Sequence, residues 1–96
     1  MDIVFVDSPD HHRYELREGD EVIGLIAYRL ADGVITLVHT EVDPAHEGQG
    51  HAATLARAAL GDARSRGLRV VPSCPYISSY IDKHPEYADL VGTEGP

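Results

Sequence analysis

Apolar residues in the first half of the chain recur in short β-rich runs that are broken by tight turns. Residues 3 to 6 read as a short strand and Asp7-Ser8-Pro9-Asp10 as a turn. Residues 11 to 18 alternate, with Tyr14 and Leu16 on one face, and Glu18-Gly19-Asp20 breaks the run before residues 22 to 30. Ala31-Asp32-Gly33 is a second tight turn, opening a third β-rich run over residues 34 to 42. Turns this closely spaced leave no room for helical crossovers, so the first half is predicted to be an antiparallel sheet of three or four strands. Residues 22 to 30 and 34 to 38 are apolar on both faces, which predicts central strands that helices cover from two sides.

The period changes near Gly50. Ala52, Leu55, Ala56, Ala59, Leu60 and Ala63 recur at steps of three and four, the apolar stripe of a helix over about residues 50 to 66. Its small side chains allow close approach to a sheet. Arg64 and Arg66 suit the negative end of the helix dipole, and Gly67 suits the position after it. Gly61 costs about 1 kcal/mol relative to alanine within the helix. Residues 68 to 72 form a further strand. A helix about 24 Å long separates it from the strand ending at Val42, so the two are predicted to run parallel. A short amphipathic helix over residues 76 to 83 follows Pro75, a helical turn with proline at its start covers residues 85 to 90, and residues 93 to 96 are expected to fray. The fold class is α/β of the α+β type, a mixed and mostly antiparallel sheet in a single domain over residues 1 to 96.

Composition narrows the function. A chain of 96 residues with 43% hydrophobic and 25% charged residues is one soluble globular domain. A net charge of −8 repels nucleic acid and anionic membranes and favours cationic partners such as amines or basic peptides. The lone cysteine, Cys74, excludes an internal disulfide and a cysteine-rich zinc site. None of the six histidines has the i, i+4 spacing of a helical zinc pair, so no metal is expected. The first residues lack a basic region and a long apolar run, and no stretch is long enough to span a membrane, so the expected location is the cytoplasm.

The candidate chemistry lies where strand meets helix, in Val38-His39-Thr40-Glu41-Val42-Asp43-Pro44-Ala45-His46-Glu47-Gly48-Gln49-Gly50-His51-Ala52-Ala53. The first turn of a helix has N–H groups without internal partners, and two glycines let a phosphate approach that backbone. Gly48-Gln49-Gly50-His51-Ala52-Ala53 can be read as the dinucleotide fingerprint G-x-G-x-x-A. That reading needs an acidic residue at the end of the next strand, where Leu68-Arg69-Val70-Val71 has none. The P-loop pattern fails because no Gly-Lys-Ser/Thr follows.

Taken together, His39-Thr40-Glu41-Val42-Asp43-Pro44, Glu47-Gly48-Gln49-Gly50-His51-Ala52, Val70-Val71-Pro72-Ser73-Cys74-Pro75-Tyr76 and His84-Pro85-Glu86-Tyr87 give the chain an order that resembles the GCN5-related N-acetyltransferase superfamily, in particular its very small single-domain members. The resemblance covers residues 10 to 91. It implies acetyl-CoA as cofactor, with Gly48, Gly50 and Ala52 cradling the pyrophosphate and Val42, Asp43, Glu47, Gln49, His51, Ala53, Cys74, Tyr76 and Tyr80 as further coenzyme A contacts. Glu47 departs from the Gln or Arg usual at its position, so Glu41, Asp43 and Glu47 are expected to turn away from the phosphates. His46 and His51 flank the loop, and Arg13, Arg57 and Lys83 are candidates for the 3′-phosphate.

The resemblance also implies that the strands ending near Val42 and Ser73 splay, with the pantetheine arm between them and the thioester near His39, Glu41 and Cys74. Glu41 or His39 would take the amine's proton, and a backbone N–H near Val42 would hold the oxyanion. Cys74 would either protonate the departing thiolate or carry the acetyl group itself. The implied activity is acetyl transfer to the amine of a protein, peptide or small molecule, by a monomer or weak homodimer. The alternative is a non-catalytic acyl-CoA-binding or protein-interaction module.

Overall fold

The computed structural model describes residues 2–91; the expectation for residues 93 to 96 lies outside them. Five strands form one sheet in the order of the chain: β1 (Ile3–Ser8), β2 (Arg13–Glu18), β3 (Glu21–Ala31), β4 (Val34–Val42) and β5 (Arg69–Pro72). The first four pair antiparallel and β5 runs parallel to β4, as the turn spacing and the intervening helix require. That helix, α1, spans His51–Ser65, and α2 spans Pro75–Lys83. Three 3-10 turns complete the chain, at Pro9–His11, Pro44–His46 and Pro85–Leu90. The first of them occupies positions expected to open β2, so that strand begins at Arg13 instead of His11.

The expected two-sided cover does not form among the described residues. Leu55, Ala56, Ala59 and Leu60 of α1 and Ile77, Tyr80 and Ile81 of α2 join one core with Tyr14, Leu16, Ile26, Tyr28, Ile35, Leu37 and Val70. These strand residues share one face by register, so both helices cover that face and leave the other open. Two bulges and several apolar residues on the open face together produce the misleading runs. The pairing shifts between Leu16 and Arg17, which adds Ile23 to β3, and between Ala27 and Tyr28, which adds Val38 to β4. Each extra residue breaks strict alternation, and Val22, Leu25 and Ala27 of β3 and Val34 of β4 are apolar residues that lie on the open face.

Close packing positions α1. A Cβ on Gly24 would lie 3.0 Å from Leu55 Cδ1 and 3.2 Å from the Glu41 carbonyl oxygen. The far end of α1 is tied by polar contacts. Tyr14 donates to Asp62 Oδ2 at 2.7 Å, Tyr28 donates to Asp7 Oδ1 at 2.6 Å, and Arg66 bridges both carboxylates at 3.1 and 3.4 Å. Burial and the bond to Asp7 push the Tyr28 hydroxyl up to about 12, and burial and the bond to Asp62 push Tyr14 higher still. Both therefore stay protonated donors. Gly67 closes the helix with φ 68°, its N–H on the Arg64 carbonyl. At Gly61 a Cβ would meet nothing within 4 Å, so no close approach explains that glycine.

On the open face Glu15 is almost fully buried, 1% exposed, held by Arg13 Nε at 2.7 Å and by Arg17 Nη2 at 2.6 Å. Burial raises its carboxyl, but the two arginines together outweigh burial and hold it below the usual 4.5. A group with a lowered folded value stabilises the fold above its unfolded value and loses that contribution as pH falls through the folded one. Urea unfolding between pH 6 and 3 should therefore show the wild type losing stability faster below about 4.5 than Glu15→Gln does. Parallel curves would remove Glu15 from the acid response.

Candidate active site

The chain leaves β4 at Val42 and enters a tight, glycine-dependent path. Asp43 Oδ1 accepts the Ala45 N–H at 3.0 Å and caps the Pro44–His46 turn. Gly48 and Gly50 then take φ of 82° and 81°. Left-handed backbone costs an L-residue about 1–2 kcal/mol, so conformation demands glycine here, and the space around both positions is open. The Thr54 N–H bonds the Gly50 carbonyl at 3.1 Å as the helix begins. The N–H groups of His51, Ala52 and Ala53 thus precede the helical ladder and lie at the positive end of the dipole.

Beside these amides lies a cleft of about 370 Å³, lined by Thr40, Val42, His46, Glu47, Gly48, Gly50, His51, Ala52, Ala53 and Tyr76. Eight of the twelve residues expected to contact coenzyme A therefore meet in one cavity. The other four do not line it. Asp43 is occupied by its cap, Gln49 Oε1 pairs with His51 Nε2 at 3.1 Å, and Tyr80 is buried with its ring stacked on His84, centroids 3.9 Å apart. The fourth, Cys74, is buried behind Thr40. Burial raises the Tyr76 hydroxyl, which keeps it protonated at the cleft wall. Of the three acids expected to turn away, Glu41 and Asp43 do so, whereas Glu47 stands at the lip of the cleft. Strand parity already placed Thr40 opposite His39 and Glu41; its partner across the fold was not readable from the chain.

The splay between β4 and β5 is visible in the pairing. Leu37↔Pro72 is the last matched position, after which the Cys74 N–H donates to the Leu37 carbonyl at 2.8 Å and the chain turns into α2. From Val38 onward β4 has no neighbouring strand on that side among the described residues, and the bulge at Val38 adjoins the gap. His39 Nε2 and Glu41 Oε2 are 2.8 Å apart on the open face, both more than half exposed. Thr40 faces the other way, with its Oγ1 3.2 Å from Cys74 Sγ. The three residues expected to meet at the thioester thus fall into two sets on opposite sides of β4, because successive side chains of a strand alternate.

The profile of the GCN5-related N-acetyl-transferase family matches residues 13–90, nearly the whole described chain. The chain belongs to this family. Among relatives, protein NATD1 of chicken and mouse is 38% identical over 66 residues, 69% of this chain and 59% of theirs; in human NATD1 the same identity covers 58% of the protein. The matched stretch is thus under two thirds of those proteins. The fold is shared with a GCN5-like protein of Staphylococcus aureus solved by NMR, with TM-score 0.71, 22% identity and coverage of 96% of this chain and 90% of that one. It is also shared with a ribosomal-protein-alanine N-acetyltransferase of Brucella melitensis biovar Abortus 2308, with TM-score 0.57, 18% identity and coverage of 88% and 63%. Members of the acetyltransferase family use acetyl-CoA as cosubstrate.

Elsewhere in this family member, Glu21, Asp43 and His46 offer ligand atoms all within 4.8 Å of one another. Histidine spacing along the chain could not have found such a group, since β3 and the loop after β4 bring it together. No helix among the described residues is long and apolar enough to cross a membrane.

Proposed function

We propose that this domain transfers the acetyl group of acetyl-CoA to an amine that reaches the β4–β5 gap from the open face of the sheet. The observation that supports it most is the continuity of the cleft, from the amides at His51, Ala52 and Ala53 to Thr40 beside the gap. The residues fit the coenzyme. Gly48 and Gly50 leave the backbone bare, and the amides that follow would hold the diphosphate, with Val42 and Tyr76 along the pantetheine path.

The bound coenzyme supplies an acyl carbon activated as a thioester. Transfer joins that carbon to the amine nitrogen and breaks its bond to sulfur. The nitrogen's proton passes to the His39–Glu41 pair and on to water, and β4 amides facing the gap stabilise the charge on the carbonyl oxygen. The departing sulfur needs one proton. Thr40 and Cys74 form a two-step donor chain, in which the hydroxyl gives its proton and the thiol replaces it; water then restores the thiol.

Cys74→Ala and Thr40→Val should each lower kcat about 100-fold, the low end for a positioned acid, with the KM for acetyl-CoA little changed. Unchanged kcat would take Cys74 out of the mechanism, and an acetyl group found on Cys74 by mass spectrometry would make it a carrier instead. The parent reading is tested by thermal shift with coenzyme A and by intact mass of an amine panel after incubation with acetyl-CoA. Binding without transfer to any amine would leave a coenzyme A-binding module, and no binding would defeat both.

A further inference from the structure

The open face of the sheet carries charge opposite to the rest of the molecule. By register, Arg13 and Arg17 of β2, Arg29 of β3 and Arg69 of β5 project on this side, together with His39. Its carboxylates are Glu15 and Glu41, and at its edge Asp43, which lines a shallow pocket with Glu41, Leu25 and Val22. Four of the chain's eight cationic residues thus share a face with three of its sixteen acidic ones, in a protein of net charge −8. The three acids are engaged, Glu15 by Arg13 and Arg17, Glu41 by His39, and Asp43 by the Ala45 N–H. Between the charges lie apolar positions, Leu25 and Ala27 half-buried and Val4 and Val71 exposed by 53% and 43%.

Resting on the transferase reading, we propose that this face selects the acceptor, and that the acceptor is an acidic peptide segment carrying its amine close to carboxylates. The net charge alone suggested basic partners. The arginines of the face that leads to the gap point to the reverse, because binding is governed by the local field and not by the total. The register also sets a distance. His39, Ala27 and Arg13 lie in one row across three strands, and strands are about 4.8 Å apart, which puts Arg13 about 10 Å from His39; Arg29, two residues along β3 from Ala27, is at a similar distance. An extended peptide advances about 3.3 Å per residue, so the preferred carboxylates sit two to four residues from the amine. A nucleic acid would meet a narrow cationic strip on a protein of net charge −8, which disfavours it.

The test uses three peptides with one central lysine, flanked at two to four residues on each side by Asp, Ala or Arg. Binding is read by fluorescence anisotropy and transfer by mass. The Asp peptide should bind and react at least tenfold better than the other two, and its binding should weaken as salt rises from about 50 to 300 mM. Arg29→Glu should weaken Asp-peptide binding at least fivefold while leaving coenzyme A affinity and melting temperature unchanged. Equal use of the three peptides, preference for the Arg peptide, no effect of Arg29→Glu, or tighter binding of a single-stranded oligonucleotide would overturn the proposal. The binding arm needs no turnover. Asp-peptide binding without acetyl transfer would sink the transferase reading and leave the acidic-partner inference standing, and transfer without peptide selectivity would do the opposite.

Discussion

Gly50→Val is expected to weaken coenzyme A binding at least tenfold. Gly50 holds φ 81° as the residue that caps α1, and its neighbours supply the amides on which the proposed diphosphate grip depends. A β-branched residue avoids this region, so the backbone would rotate away and carry those donors with it. Loss of about 1.4 kcal/mol of binding is enough for the tenfold change. The experiment is a calorimetric titration with coenzyme A on protein of confirmed melting temperature. Glu47→Gln gives a control of opposite sign: it removes a carboxylate from the lip of the cleft and should tighten binding severalfold. General damage cannot tighten binding, so the pair separates a local effect from misfolding. Unchanged affinity in both variants would show that the loop does not hold the phosphates.

The second large effect concerns stability, where Gly24 and Leu55 meet. Leu55→Ala empties a fully buried site and should cost about 2–5 kcal/mol. Gly24→Ala inserts a methyl 3.0 Å from Leu55 Cδ1 and 3.2 Å from the Glu41 carbonyl, and should cost about 1–3 kcal/mol by forcing α1 off the sheet. The double variant should cost less than the sum by about 0.5 kcal/mol or more, because the new methyl enters space that Leu55 has vacated. Additive losses would mean that the helix is positioned elsewhere, for instance by the contacts of Tyr14 and Arg66 with Asp62.

These two sites bear differently on what could be read in advance. The left-handed glycines were legible because the pattern of glycine, one residue, glycine, then an apolar helical stripe admits few backbones. Gly24 lay inside an apolar run and gave no sign of its task, which exists only because Leu55, far along the chain, arrives over it. The four antiparallel strands, the parallel fifth and both helices followed from local signals: turns at residues 18–20 and 31–33, and the change of period after Gly50. The one-sided cover did not, since the open face itself carries Leu25 and Ala27 and the bulges at Ile23 and Val38 form only when neighbouring strands pair.

By itself, then, the order of residues determined the elements, their succession and the left-handed glycine path of the loop, since each depends on interactions within a few residues. Only the tertiary structure decided which face of the sheet stays open, that Thr40 meets Cys74 while His39 and Glu41 look away, and that arginines from three strands gather on that face. Those outcomes depend on strand register and on contacts between residues distant in the chain, which local preference along the sequence does not encode.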